Sequence, residues 1–318
     1  MKVSVVVTIY NTELYFERCL RSLFEQTLKN IEFIFIDDCS PDNSLSLLKT
    51  VIEDYPERKE YVRIVTFDEN MGSSYAKRIG IQLAKGEYIG SVDSDDWVEK
   101  DAFEKMLNVA EVNNADIVCC EISRETINGQ RIERYQYDVE TKNDVVNNLE
   151  FGIYSSLANK LIKNTLYIKY DILPLENISM WDDLSATARL RYHSAKTVII
   201  HDALYHYNNL NNNSVTHQTD LKNILSMISC GDFLANYFKP VMPRKHYLKL
   251  MRLCFRAKDP LFYPPFYDLG TWRESIKDTN KYILFYTDIS FVRRIKYLLF
   301  LLLPYAFSDF ILKKRYKL

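Results

Sequence analysis

About the first 120 residues alternate between strand-like and helix-like segments, and this alternation restricts the fold more than any other feature of the chain. The strand-like segments are KVSVVVTI, IEFIFID, YVRIVTF, EYIGSV and ADIVCCE. After the first of them, apolar side chains recur at helical spacing; they are Phe16, Cys19, Leu20, Leu23 and Phe24. Repeated β-α units with short connections predict an α/β fold, a mostly parallel sheet flanked by helices with right-handed crossovers. On such sheets ligands bind outside the carboxyl ends of the strands.

The pattern changes after the fifth strand. TINGQR carries an Asn-Gly pair between β-compatible arms and predicts a hairpin. Helices are predicted for NDVVNNLEF, SSLANKLIKNTLY and DDLSATARLRYH, and one or two strands for KTVIIHDALYHY. From about Thr219 onward the pattern is helical, with interruptions at prolines.

Three carboxylates follow the strand-like segment EYIGSV, in the sequence DSDD at residues 93–96. In an extended chain Asp93 and Asp95 project to the same side, and two carboxylates held that close repel each other unless a cation or a proton lies between them. A divalent ion with oxygen ligands would satisfy such a pair. The alternative is a turn and a helix N-cap, since Ser and Asp are favoured there and a helix is predicted from about Lys100. If Asp93 and Asp95 hold a cation, Asp96 is expected to cap that helix.

Two further acidic pairs occur in the chain. Asp37 and Asp38 end the second strand, where the alternative is turn chemistry in the sequence SPDN that follows. Asp182 and Asp183 begin a predicted helix, where acids are favoured by the helix dipole. The functional interpretation of the last pair is a carboxylate that acts as general base on an acceptor hydroxyl.

Taken together, these segments resemble the family 2 glycosyltransferases. The resemblance rests on VVVTIYNTELYFERCLRSLFEQT, IEFIFIDDCSPDNS and NMGSSYAKRIGIQLAKGEYIGSVDSDD, in the family's order and at its usual separations. It continues less closely through ANKLIK, MWDDLSATARL and ALYHYNNLNNNSVTH. The resemblance implies a GT-A (Rossmann-like) fold, a nucleotide-sugar donor, a divalent metal, Mn or Mg, and inversion at the anomeric carbon.

The resemblance also implies roles for individual residues. Thr8 and Tyr10 fall where the family lines the nucleoside pocket, and Asp38 falls on the acid that accepts the uracil imide N–H. Asp93 and Asp95 form the family's DxD motif. Asp95 is the expected direct metal ligand, and Asp93 is expected near the ribose and the metal. Asp183 falls on the family's catalytic base.

Some positions depart from the family pattern. The usual Ala-Arg-Asn is replaced by Ala76-Lys77-Arg78, so that Lys77 or Arg78 is expected to meet the donor diphosphate, Lys77 as a point charge. The usual Glu-Asp is replaced by Asp182-Asp183, which makes Asp182 a competing base. In some GT-A enzymes a late histidine completes the metal shell; His206 and His217 are the candidates here, although a surface or core histidine is the favoured interpretation of each.

The C-terminal segment is apolar and basic. The run YLLFLLLPYAF is about eleven residues long and contains Pro304, whereas a membrane-spanning helix needs roughly 20 residues. Seven basic residues and one acid, Asp309, occur between residues 293 and 318. This composition favours a segment that lies on an anionic membrane surface. The alternative is a terminal helix docked on the domain or on a second subunit, through which the protein could form oligomers.

These features predict a GT-A glycosyltransferase domain over residues 1–217, with a nucleotide-binding half at about 1–115 and an acceptor half at about 116–217. Residues 218–318 are predicted to form a helical C-terminal region with the membrane-proximal tail. A formal charge of −1 argues against nucleic acid as the partner. The N-terminus lacks a signal-peptide pattern and the six cysteines show no metal or disulfide spacing. We therefore expect a cytoplasmic protein, peripheral on the inner face of the cytoplasmic membrane.

The predicted reaction is inverting transfer of a hexosyl or N-acetylhexosaminyl group. The donor is a nucleotide sugar, with UDP expected. The resemblance implies that the acceptor is a hydroxyl of a glycan or of a polyprenyl-diphosphate-linked substrate, in bacterial surface polysaccharide biosynthesis. One alternative is a nucleotidyltransferase on a similar sheet, although IYNTELYF lacks the Gly-rich basic loop that such enzymes carry after the first strand. The other alternative is a non-catalytic nucleotide-sugar-binding protein.

Overall fold

Two compact units make up the chain, Met1–His217 and Gln218–Leu318. The structure is a computed structural model that describes residues 1–140, 155–211 and 220–317. The helix predicted for NDVVNNLEF lies outside these described residues.

One sheet forms the centre of the first unit, and ten strands of it lie within the described residues. The strands are β1 (Val3–Ile9), β2 (Ile31–Asp37), β3 (Val62–Thr66), β4 (Tyr88–Asp93), β5 (Trp97–Val98), β6 (Ile117–Thr126), β7 (Gly129–Glu133), β8 (Val139–Glu140), β9 (Lys160–Lys163) and β10 (Thr197–Asn208). Their order is β3-β2-β1-β4-β9-β6-β10-β5, while β7 pairs with β6 and β8 with β10. The sheet is parallel from β3 to β4 and becomes mixed from β9 onward. The predicted α/β class is confirmed.

Helices flank this sheet. Among the described residues of the first unit they are α1 (Glu13–Phe24), α2 (Ser44–Val51), α3 (Ser73–Leu83), α4 (Ala102–Asn113), α5 (Asn164–Tyr170) and α6 (Asp182–His193). Helix α1 buries all five apolar residues predicted for its inner face. Helix α3 lies very close to β1, because a Cβ added to Gly80 would come within 2.2 Å of Val6 Cγ1. Only glycine permits this approach, which brings the helix that carries Lys77 onto the sheet.

The register of the parallel strands aligns their carboxyl ends. Thr8 in β1 lies beside Asp93 in β4, and Ile9 lies beside Asp37 in β2. The acid-containing loops after β2 and β4 therefore leave the sheet at the same edge, next to the end of β1.

The second half of the first unit confirms some predictions and corrects one. The TINGQR hairpin is formed by β6 and β7, with Gly129 at a φ of 106°. KTVIIHDALYHY forms one strand, β10, whose register against β6 shifts between Ile200 and Tyr205. SSLANKLIKNTLY was expected to be one helix, and this is wrong: it contains strand β9 followed by α5. A run of four residues is too short for periodicity to separate a buried strand from a buried helix.

The second unit is helical, as predicted. Its helices are α7 (Leu221–Phe238), α8 (Arg244–Lys258), α9 (Leu269–Glu274), α10 (Phe291–Leu302) and α11 (Tyr305–Tyr316). Its core contains interlocking aromatic rings, in which Phe262 meets Trp272 at 4.9 Å and Tyr297 also at 4.9 Å between ring centroids. Within the described part of the chain, every helix is too short or too polar to cross a bilayer.

Candidate active site

Lys77 joins the acidic residues of two separate chain segments, so that three segments meet at its ammonium group. Its Nζ lies 2.7 Å from Asp183 Oδ1 and 3.3 Å from Asp182 Oδ2. The same nitrogen lies 3.6 Å from Asp93 Oδ1. Helix α3 supplies the lysine, the end of β4 supplies Asp93, and the first turn of α6 supplies the acidic pair. The Lys77 side chain is only 8% exposed, so this cluster lies largely out of water.

Burial and charge act against each other in this cluster. Burial alone would lower the pKa of the Lys77 ammonium, but the carboxylates of Asp182, Asp183 and Asp93 outweigh it and raise that pKa well above its usual value. Burial raises the pKa of Asp93 to about 6; Lys77 opposes this shift, while Asp183 and Asp95 add to it by repulsion. Burial also raises the pKa of Asp182, against the attraction of Lys77. The single positive charge of Lys77 therefore does not neutralise the aspartates around it.

Asp183 is held from both sides. One oxygen accepts from Lys77, and Oδ2 accepts the backbone N–H of Leu157 at 2.8 Å and lies 3.5 Å from Ser156 Oγ. The segment behind it is tied down in turn by Lys160, a buried side chain whose Nζ donates to the carbonyl of Ser156 at 2.6 Å. Asp182 has a different set of contacts, since its Oδ2 accepts from Ser73 Oγ at 3.3 Å. The two adjacent acids are therefore not equivalent, and Asp183 is the more firmly oriented.

The DSDD segment is anchored to β10 and to the residues that follow that strand. Asp95 Oδ2 accepts from Asn211 Nδ2 at 2.8 Å. Asp96 is buried, and accepts from the Tyr205 hydroxyl and, at 2.8 Å, from the Asn208 backbone N–H. The expectation that Asp96 caps the following helix is wrong. The N-cap position of α4 belongs to Asp101, and its side chain makes no capping hydrogen bond.

The donor set at this edge of the sheet suits a hard divalent cation. Among the described residues no three His, Cys, Asp or Glu side chains form a complete metal-binding group. Asp93 and Asp95 nevertheless lie close enough that the charge of Asp95 raises the pKa of Asp93. Carboxylate oxygens are the ligands that Mg²⁺ and Mn²⁺ prefer, and the excess of negative charge over Lys77 favours a cation here. The residues present therefore fit such an ion.

The other predicted donor-binding residues lie around the end of β1. Thr8 is half-buried in β1, and Tyr10 just beyond the strand is 49% exposed, which leaves its ring accessible. Asp38 is buried, and it accepts the backbone N–H groups of Met71 at 2.6 Å and of Gly72 at 2.9 Å. Burial raises the pKa of Asp38 against these two hydrogen bonds. Asp38 thus shapes the loop that leads into α3.

Arg78 is not part of the carboxylate cluster. Its guanidinium donates to the carbonyl of Pro174 at 3.0 Å and lies 3.1 Å from Glu176 Oε1. Lys77 and Arg78 are adjacent, yet α3 directs them to different surroundings. Of the two, Lys77 is the one that contacts the aspartates of the cluster.

His206 has partners of its own. Its Nδ1 lies 2.8 Å from Glu125 Oε1, its Nε2 lies 2.9 Å from Glu99 Oε1, and its ring stacks on Trp97 at 5.1 Å. Both ring nitrogens are thus engaged by carboxylates other than Asp93 and Asp95. Of the two favoured interpretations, a surface or a core histidine, the burial of His206 fits the second. His217 lies outside the described residues.

Several supporting residues were not predicted from sequence. Asn211 on Asp95 and Tyr205 on Asp96 both come from ALYHYNNLNN, a segment for which the sequence predicted a strand and a family resemblance but no contact with the DSDD segment. Tyr205 also accepts the backbone N–H of Asp93 at 3.2 Å. The backbone N–H of Leu157 has no side-chain signature, so no sequence pattern could have identified it.

Known proteins resemble this chain over most of its length. The family model described as Glycosyl transferase family 2 matches residues 4–171, slightly more than half of the 318 residues. EpsJ of Bacillus subtilis, described as an uncharacterized glycosyltransferase, is 42% identical over 118 residues. That alignment covers 37% of this chain and 33% of EpsJ, so the chain spans about a third of the length of this relative.

Two solved structures share the fold. TarS 1–349 of S. aureus in complex with UDP-GlcNAc has a TM-score of 0.65 at 18% identity, covering 89% of this chain and 79% of that chain. The mannosyltransferase PcManGT of Pyrobaculum calidifontis, in complex with GDP-Man and Mn²⁺, has a TM-score of 0.51 at 15% identity, covering 99% of this chain and 82% of that chain. At these identities the likeness concerns the fold.

Proposed function

Because this chain belongs to glycosyl transferase family 2, we propose that it is an inverting glycosyltransferase. It transfers a hexosyl or N-acetylhexosaminyl group from a UDP-sugar to a hydroxyl of a glycan or polyprenyl-diphosphate-linked acceptor. The observation that carries the proposal is the meeting of Asp93, Asp183 and Lys77 at the carboxyl edge of the sheet. Bacterial surface polysaccharide synthesis is the proposed setting.

The end of β1 binds the nucleoside in this proposal. The accessible ring of Tyr10 stacks on the base, and Thr8 lines the pocket beside Asp93. Asp38 accepts the uracil imide N–H in addition to the two backbone N–H groups that orient it. Each carboxylate oxygen has two lone pairs, so the existing hydrogen bonds leave room for a further donor.

The diphosphate meets positive charge in the cluster. Asp95, as the direct ligand, and Asp93 would hold a Mn or Mg ion, which when bound supplies positive charge to the departing diphosphate. Lys77 adds a fixed cation on the same side, and it is preferred over Arg78 for this role because Arg78 is engaged by Pro174 and Glu176. Such preorganised charge stabilises the transition state more than the ground state.

Asp183 removes the proton from the acceptor hydroxyl. Lys77, Ser156 and the Leu157 N–H orient its carboxylate before the acceptor arrives. The hydroxyl oxygen then forms the new bond to the anomeric carbon as the bond to the diphosphate breaks on the opposite face. A single displacement inverts that carbon.

The alternatives predict different products. A nucleotidyltransferase would form a pyrophosphate bond, and the family match argues against it. A non-catalytic binding protein has no need for an oriented base, and the contacts of Asp183 argue against that interpretation.

We also place the protein in the cytoplasm, on the inner face of the cytoplasmic membrane, where it would reach a lipid-linked acceptor.

The test is a panel of UDP- and GDP-sugars with Mn²⁺, scored for binding and for donor hydrolysis. We expect UDP-sugar binding that chelator or Asp95→Ala weakens. Asp183→Asn is expected to lower the turnover number by about 10²–10⁴ and to leave donor binding in place, whereas Asp202→Asn, at an exposed position in β10, changes neither. Loss of turnover in Asp182→Asn but not in Asp183→Asn would reassign the base. Failure to bind any UDP-sugar would overturn the donor assignment.

A further inference from the structure

Helix α10 carries apolar side chains on two opposite faces. Tyr297 and Phe300 are buried in the second unit. Phe291, Ile295, Leu299 and Leu302 are spaced by four, four and three residues, so they share one face. That face is in water: the exposed fractions run from 36% for Ile295 to 82% for Leu302. Val292, at 77% exposed, widens it.

Helix α11 repeats this arrangement. Ser308 and Leu312 are buried, while Phe307 and Phe310 are 53% and 63% exposed. Lys314 follows Phe310 by four residues and therefore lies at the C-terminal end of the same face. We call these exposed apolar side chains of α10 and α11, taken together, the apolar face; its members are Phe291, Val292, Ile295, Leu299, Leu302, Phe307 and Phe310.

Basic residues accompany the apolar face. Between residues 293 and 318 seven basic residues occur with one acid, Asp309, and that acid is paired with Lys313 at 2.9 Å. Lys314, Arg315 and Lys317 are exposed at the end of α11. The partner of this surface must therefore combine an apolar layer with negative charge.

An anionic bilayer has this combination, with acyl chains below phosphate headgroups. A second copy of the chain fits less well, because a symmetric contact places the same patch on both sides and brings its cations together. Exposed apolar patches of this extent are unusual on a monomeric protein surface without a partner. The basic residues beside the apolar face are therefore complementary to an anionic membrane rather than to a second copy of the chain.

We propose that the apolar face lies in the boundary between headgroups and acyl chains of an anionic membrane, with Lys314, Arg315 and Lys317 on the lipid phosphates. Both helices lie parallel to the membrane plane in this arrangement. The proposal extends the membrane location of the proposed function, and it does not depend on the transfer chemistry.

Vesicle flotation of the full chain tests this inference. We expect binding to vesicles of phosphatidylglycerol mixed with phosphatidylcholine, and much weaker binding to phosphatidylcholine alone. Leu299→Glu with Leu302→Glu should lower the bound fraction about tenfold or more, since two apolar anchors become charged. The matched control is Val112→Glu on α4, an apolar residue that is 86% exposed in the first unit, and it should bind as the parent does.

A second double variant distinguishes the contribution of the basic residues to vesicle binding from that of the apolar side chains. Lys314→Glu with Arg315→Glu should lower binding to the phosphatidylglycerol vesicles about tenfold or more and leave binding to phosphatidylcholine unchanged. The inference is overturned if the parent chain binds neither kind of vesicle. It is equally overturned if Val112→Glu weakens vesicle binding as much as Leu299→Glu with Leu302→Glu does. It is also overturned if sedimentation shows a dimer that Leu299→Glu with Leu302→Glu dissociates. UDP-sugar binding is measured on the parent and on every variant. A parent chain that binds vesicles but no UDP-sugar would refute the proposed function and leave the membrane inference standing.

Discussion

Replacement of Lys77 by methionine tests the charge balance of the proposed site. Methionine fills a similar volume but leaves Asp182, Asp183 and Asp93 without the ammonium. At an effective dielectric constant of about 20, one pair of unit charges at the observed 2.7 Å separation of Lys77 from Asp183 attracts by about 6 kcal/mol. The desolvation cost of the lysine offsets part of this attraction, so that loss of one partner of a buried pair costs about 3–5 kcal/mol in measured systems.

We therefore expect Lys77→Met to lower the free energy of unfolding of the first unit by about 3–5 kcal/mol. Asp93 adds little to this figure, because its side chain is 34% exposed and solvent screens that part of the pair. Hydrogen exchange of the amides in β1 during a urea titration measures the effect, since these amides exchange only when the core of the unit opens.

Two controls accompany this measurement. Lys77→Arg keeps the charge and should retain most of the stability, and Lys49→Met on the exposed side of α2 should change it by less than about 0.5 kcal/mol. A loss below about 1 kcal/mol in Lys77→Met would refute the reasoning, because the carboxylates would then be satisfied without the lysine.

Three further predictions concern the packing and the charge of the fold. Gly80→Ala should cost about 1–3 kcal/mol in urea unfolding, because the new methyl would meet Val6 Cγ1 at 2.2 Å; full stability in this variant would show that α3 can move away from β1. In the parent chain the Arg191 Nε donates to the buried carboxylate of Glu140 at 2.9 Å. Arg191→Met leaves that carboxylate without its cation and should lower the free energy of unfolding by about 3–5 kcal/mol. Adding Glu140→Gln to this variant should recover part of the loss. Burial lowers the pKa of Lys258 from 10.5 to about 7. Between these values the unfolded chain binds a proton that the folded chain does not, so the stability of the second unit should rise with pH above about 7 by at most about 1.4 kcal/mol per pH unit. Lys258→Met should abolish this contribution, and an unchanged slope would contradict it.

Local patterns were sufficient for the strand ends that form the site. The apolar runs up to Thr8 and Asp93 predicted strands whose carboxyl ends meet, and the register places these two residues side by side. The helical spacing of α1 likewise identified its buried face. In each case the spacing of apolar residues along one strand or helix predicts which side chains are buried, and that spacing lies within a dozen consecutive residues.

Contacts between distant segments could not be predicted in this way. Lys77 and Asp183 are 106 residues apart, and their pairing depends on how α3 and α6 pack in the folded unit. Lys77 and Arg78 both fit a phosphate-binding role by residue type, and only the direction of each side chain on α3 separates them. Asp96 shows the same limit, because an aspartate before a helix suits a cap and a buried anchor equally well until its partners Tyr205 and Asn208 are known.

In the proposed site, the position of Lys77 would link the binding of the metal to the binding of the donor. A cation held by Asp93 would lie near an ammonium that is 3.6 Å from the same carboxylate, and two like charges at that range repel. The diphosphate of the proposed donor would supply the negative charge that offsets this repulsion. Metal and nucleotide sugar should therefore each bind more tightly in the presence of the other, and by thermodynamic reciprocity the two enhancements must be equal. Lys77 would thereby prevent either ligand alone from satisfying the proposed site, while its hydrogen bond to Asp183 orients the carboxylate of the proposed base.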